Sequence, residues 1–175
     1  FGGLIPQACT LRKVTTRIVS VWAIGSYDNS SGDPSTTSYT EQLTRLLGRA
    51  LAAADVSLVC GESDVLHDLC AEYRGATQPD SLARAIMIHG SMRTPAVFRR
   101  HLKRTPTAVL VLVGGHRSRS LREIEVAKSL GLEVAGFAET AGVVNKQRSL
   151  FDAVWSQEDP SDAVQEAIAW VRRKR

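Results

Sequence analysis

Residues 107–115 read TAVLVLVGG, and from Ala108 to Val113 no side chain is polar. A strand with one wetted face alternates apolar and polar residues, so an unbroken apolar run must be covered on both faces. A parallel sheet between two layers of helices gives that cover. The rest of the chain supplies matching parts. RIVSVWAI (17–24), VSLVCGES (56–63), RAIMIHG (84–90) and LEVAGFAE (132–139) read as further strands. Between and after the strands, helical periodicity runs through 41–54, 64–76, 94–104, 121–131 and 159–175. The alternation predicts an α/β fold: Rossmann-like, doubly wound, with a mainly parallel sheet and helices on both faces.

Local signals refine these elements. YDNSSGDPSTTS (27–38) reads as a turn-rich loop, with Ser38 or Thr40 capping the helix that follows. Pro95 suits a first helical turn, and Gly131 a helix end. Residues 17–175 are expected to form one domain, and 1–16 a tail or linker from an N-terminal domain missing from this chain. The opening FGGLIPQACTL has no initiator Met, long apolar stretch or small-residue cleavage site. No apolar run reaches the roughly 20 residues of a membrane span. Cys9, Cys60 and Cys70 show no metal-ligand spacing and are a poor count for a disulfide framework, so Cys60 reads as a buried free thiol. A reducing cytoplasm fits, and no membrane partner is expected.

Charge is more informative in its placement than in its net value of +4. Between Ser81 and Arg122 there is no Asp or Glu, while the same block holds nine Arg or Lys residues and three His. Arg outnumbers Lys in the chain by 17 to 5, and its planar fork suits phosphate or carboxylate. Acids are plentiful elsewhere, so the block suggests either a local anionic ligand or a basic surface.

In doubly wound sheets ligands bind at the carboxyl ends of strands, where the strand order reverses. Three apolar runs end in small or polar turns: Gly25-Ser26, Gly61-Glu62-Ser63 and Gly114-Gly115. Glycines there let a ligand approach the backbone, and the helix starts beyond them favour anions. Arg117 and Arg119 would add mobile charge. In the helix after Gly115, Glu123 falls in the middle of the apolar arc formed by Leu121, Ile124, Val126, Ala127 and Leu130. An inward carboxylate needs a partner or a ligand. Ser120-x-x-Glu123 also matches a capping box. A pair of ribose hydroxyls is the natural ligand, since two donors match two carboxylate oxygens. Of Arg99 and Arg100, one could face the site and one water. Arg84 opens the third strand and joins the candidate set. His89 and His116 form no metal set, Trp22 and Trp155 read as core, and Tyr27 and Tyr39 could stack on a base.

The order of these pieces resembles the SLOG superfamily, a Rossmann-like group that includes the cytokinin-activating LOG phosphoribohydrolases and the DNA-processing protein DprA. AIGSY (23–27), SLVCGES (57–63), VFRRHL before AVLVLVGG, REIEVA (122–127) and AETAG (138–142) carry the resemblance. They are most similar to the branch joined to sirtuin or TIR domains in bacterial anti-phage systems such as Thoeris. The resemblance implies a sensor pocket for a nucleotide-derived messenger, such as a cyclic ADP-ribose isomer, with no cofactor and no metal. It carries Gly25, Ser26, Arg99 and Glu123 into that pocket, with Gly114 and Gly115 beneath the ligand. It also implies a homo-oligomer, a dimer or tetramer, that switches on a covalently attached effector.

The LOG hydrolase pattern PGG-x-GT-x-x-E is not met. No Pro precedes the glycines, HRS (116–118) stands in place of x-GT, and Glu123 lies two residues too far along. GESDVL (61–66) replaces the second glycine-rich phosphate loop. The resulting expectation is a domain that holds an ADP-ribose-type nucleotide without converting it. LOG-like phosphoribohydrolase or nucleoside deoxyribosyltransferase activity is the alternative. DprA-like nucleic-acid binding comes third, so nucleic acid is not the expected partner.

Overall fold

The computed structural model describes residues 19–26, 33–88, 94–105, 109–114 and 117–174, with only the backbone of 109–114, 117 and 118. Six parallel strands form one sheet: β1 (Ser20–Ser26), β2 (Ser57–Cys60), β3 (Ala85–Met87), β4 (Val109–Gly114), β5 (Glu133–Phe137) and β6 (Ala153–Trp155). Their spatial order is β3-β2-β1-β4-β5-β6. This is the strand order of the dinucleotide-binding Rossmann fold, with its switch point between β1 and β4. The register there pairs Gly25 with Val113 and Ser26 with Gly114, so both strands end at the same level.

Among the described residues, six α-helices cover the sheet: α1 (Pro34–Ala53), α2 (Asp64–Ala76), α3 (Pro95–Arg104), α4 (Arg117–Ser129), α5 (Val143–Lys146) and α6 (Pro160–Arg172). Alternate residues of β1 divide the core. Val19, Val21 and Ala23 pack with Leu43 and Leu47 of α1, Leu69 and Tyr73 of α2, and Ala167 and Trp170 of α6. Trp22 and Ile24 pack on the other face with Phe98 and Leu102 of α3, Ile124 and Ala127 of α4, and Val144 of α5. Trp22 meets Phe98 edge to face at 5.6 Å between ring centroids. Trp22 and Trp155 are both core residues, as expected.

Three local expectations are corrected. Helix α1 begins at Pro34, not near residue 41, and its cap is Asp33 rather than Ser38 or Thr40. The Asp33 carboxylate accepts from the Ser35 amide at 3.0 Å and also from the Ser35 and Thr36 hydroxyls. Pro34 then occupies a position whose N–H would be unpaired in any case. Helix α4 begins at Arg117, four residues before the expected start. Its end is as read: Gly131 sits at φ 72°, and the amides of Gly131 and Leu132 donate to the carbonyls of Lys128 and Ala127. That paired closure needs the left-handed conformation that glycine tolerates. Strand β6 was not anticipated, because AVW is too short to show a period.

Candidate ligand cavity at the strand switch point

A cavity of about 290 Å³ opens at the carboxyl ends of β1 and β2. Ile24, Gly25 and Ser26 line it from β1, and Gly61, Glu62, Ser63 and Leu66 from the β2–α2 connection. Arg119, Ser120 and Glu123 line it from α4. Six of the residues chosen from sequence therefore meet here: Gly25, Ser26, Gly61, Ser63, Arg119 and Glu123. Gly25 takes φ 155° while still in register with Val113, one residue before β1 ends. The Ser63 hydroxyl donates to the Gly25 carbonyl at 2.8 Å, tying the two strand-end turns together. That bond takes Ser63 away from its own helix, whose N-cap has no side-chain hydrogen bond.

Glu123 is the most unusual group in the cavity. The residue is only 8% exposed. Among the described residues its one hydrogen bond comes from Arg119 Nε, at a long 3.4 Å to Oε1. Arg119, one turn earlier on α4, is half exposed, so water weakens the pair. Burial pushes the Glu123 carboxyl above the ordinary carboxylate range, and Arg119 only partly opposes that rise. The capping-box role expected for Ser120 and Glu123 does not hold. Ser120 is the fourth residue of α4 and Glu123 the seventh, so neither stands at the helix start. Helical periodicity located Glu123 correctly on the inward face, and the earlier helix start changes its role from cap to cavity wall.

The remaining site expectations separate. Gly114 ends β4 beside Ser26, next to the cavity, and Arg117 opens α4. Gly115, His89, His116 and Tyr27 lie outside the described residues. Arg84 is not part of the cavity. It precedes β3, at the amino ends of the strands, and its guanidinium donates to the Ser81 and Ala83 carbonyls. Arg99 also falls elsewhere: it donates to the Ser129 hydroxyl at 3.2 Å, at the opposite end of α4 from Arg119. A sequence position in an acid-free block cannot tell which end of a helix a side chain reaches. Tyr39 is no free stacking platform, because its hydroxyl donates to the Gln157 carbonyl at 2.8 Å. Burial raises that phenol to about 12.

Glu62 and Ser120 were missed. Nothing in the spacing of GESDVL marks Glu62 as a cavity residue, and the Ser120-x-x-Glu123 spacing fits a helix cap equally well. With them, the described cavity holds two carboxylates, three serines and one arginine. It is therefore less cationic than the basic block suggested. No group of three or more His, Cys, Asp or Glu able to hold a metal occurs among the described residues. Cys60 and Cys70 are buried free thiols. No described helix is long and apolar enough to cross a membrane.

No family model matches the chain, and no curated protein matches it. A solved structure does. The molybdenum cofactor carrier protein of Chlamydomonas reinhardtii superposes with a TM-score of 0.58 at 18% identity, over 90% of this chain and 98% of that one. The fold is Rossmann-like. At that identity the likeness speaks for architecture alone, and the two chains share it over nearly their whole length.

Proposed function

We propose that the cavity binds a nucleotide-derived small molecule through its ribose, and that the domain senses this ligand. The observation that carries the reading is Glu123: a buried carboxylate facing a cavity at the switch point, with one long hydrogen bond to an exposed arginine. Such a group is costly to bury unless something completes its hydrogen bonds. A vicinal pair of hydroxyls does so, giving one donor to each oxygen. Ser26, Ser63 and Ser120 add short polar groups around the same space.

A cavity of about 290 Å³ takes a sugar and one adjoining group rather than a whole dinucleotide. The phosphates of a larger ligand would extend past the rim, toward the first turn of α2. Helix starts favour anions, and α2 has no side chain spent on its cap. With the order of sequence pieces, this favours a SLOG-type sensor of an ADP-ribose-type cyclic nucleotide. An attached effector and self-association belong to the same reading.

A second reading rests on the same carboxyl. A buried carboxyl lining a cavity, raised by that burial, could also transfer a proton, so cleavage of an N-glycosidic bond is the enzymatic alternative. The test is calorimetric titration with cyclic ADP-ribose isomers, ADP-ribose and NAD, followed by incubation with AMP and deoxynucleosides. The sensor reading expects saturable binding to at least one ADP-ribose compound and no free base. Release of base would favour the enzyme, and absence of all binding would overturn the sensor. The solved relative is named for carrying the molybdenum cofactor, so that cofactor belongs in the same titration as a competing ligand.

A further inference from the structure

Helix α3 contributes no residue to the cavity lining and carries Arg99, Arg100, Lys103 and Arg104 exposed. None of the four has a carboxylate partner among the described residues, and Arg99 donates only to a serine hydroxyl. The side chains at i and i+4 stand about 6 Å apart along the axis, so Arg99 and Arg100 are each followed one turn later by Lys103 and Arg104. The opposite side of the helix is used up: Phe98 and Leu102 are buried in the core beneath it. Helix α4, packed against α3, adds exposed Arg122, with Glu125 the nearby exposed acid on that helix.

We infer that this α3 face is a docking surface for the phosphodiester backbone of nucleic acid, separate from the ligand cavity. A row of unpaired cations facing water is complementary to a polymer of regularly spaced single negative charges. Arginine predominates in it, and its guanidinium matches phosphate oxygens in pairs. A protein partner would normally bury an apolar centre, and a membrane surface would take apolar side chains into its headgroup layer. Between Arg99 and Arg104 the exposed face offers neither, since Leu102, the one apolar residue there, points inward. No exposed aromatic lies along the row to stack on a base, so contact is to the backbone and independent of sequence.

The experiment is fluorescence anisotropy of a labelled oligothymidylate and a labelled duplex, between about 50 and about 200 mM salt. Four phosphate contacts predict a log–log salt slope near about −3 for the single strand. Arg100→Gln with Lys103→Gln should halve that slope and weaken binding at low salt at least about tenfold. The control is Arg172→Gln with Arg173→Gln, which removes the same charge from the exposed end of α6 and should leave the slope unchanged. No binding at about 50 mM salt would overturn the proposal, as would equal weakening by both double variants. Sedimentation with phosphatidylserine vesicles, without oligonucleotide binding, would overturn it in favour of a lipid surface.

Discussion

Glu123 shows how one residue can be unfavourable for the fold and useful to a site. Its carboxyl is raised by burial above the ordinary value of 4.5, so the folded chain keeps a proton that the unfolded chain has already released. Stability therefore falls as pH rises from below that ordinary value through the raised folded one. Glu123→Gln removes the loss. The variant should be more stable than the parent at neutral pH, and the difference should close as pH drops below 4.5; denaturant melts across pH measure this. Its affinity for an ADP-ribose ligand should fall about tenfold or more, because hydrogen bonds to a charged group contribute about 1.5–3 kcal/mol. A residue serving only as packing would lose stability and leave binding alone. The inward position of Glu123 was legible from the 3.6-residue period. Its partner was not, because whether Ser120 caps a helix or lies inside it depends on where the helix starts.

At the scale of elements, Asp33 and Gly48 explain how α1 is set in place. The Asp33-Pro34 pair starts the helix two turns before its apolar period becomes regular, which is why the periodic reading placed the start near residue 41. Asp33→Ala should lower the urea midpoint with an unchanged m-value, since it removes the cap of α1. Gly48 lies where α1 crosses α2. A Cβ there would stand 2.8 Å from the Leu69 carbonyl oxygen and 3.0 Å from Glu72 Cβ. Alanine favours helices by about 1 kcal/mol over glycine, but backbone cannot yield as a flexible side-chain end does. Gly48→Ala should be destabilising, by about 1–3 kcal/mol, and a more stable variant would mean that the two helices are free to separate. Long periodic segments were the most legible, since burial of one face dictates their composition: α2 spans 64–76 as read, and α6 starts within a residue of its expected start but ends at Arg172, three residues before the expected 175. Strand β6 was not, being only three residues long and defined by its pairing with β5.

Over the whole molecule, the polar-free β4 run correctly implied a sheet covered on both faces, and the alternation of elements correctly implied parallel strands. Spatial order was not legible, because the crossover to the second face is made in three dimensions. That order decides where the site lies. It joins Gly25-Ser26, Gly61–Ser63 and α4 around one space, and it leaves Arg84 at the opposite end of the strands and Arg99 on a separate basic face. The described cations of the acid-free block are therefore spread over separate places: Arg119 at the cavity, the α3 row on the surface and Arg84 at the amino ends of the strands. The most direct test of the cavity is backbone amide mapping by NMR during titration with ADP-ribose. Shifts should concentrate at Gly25, Ser26, Gly61, Ser63, Ser120 and Glu123, with α3 unaffected. Saturable shifts confined to α3, or none at these six residues, would contradict a ligand site at the β1–β4 switch point.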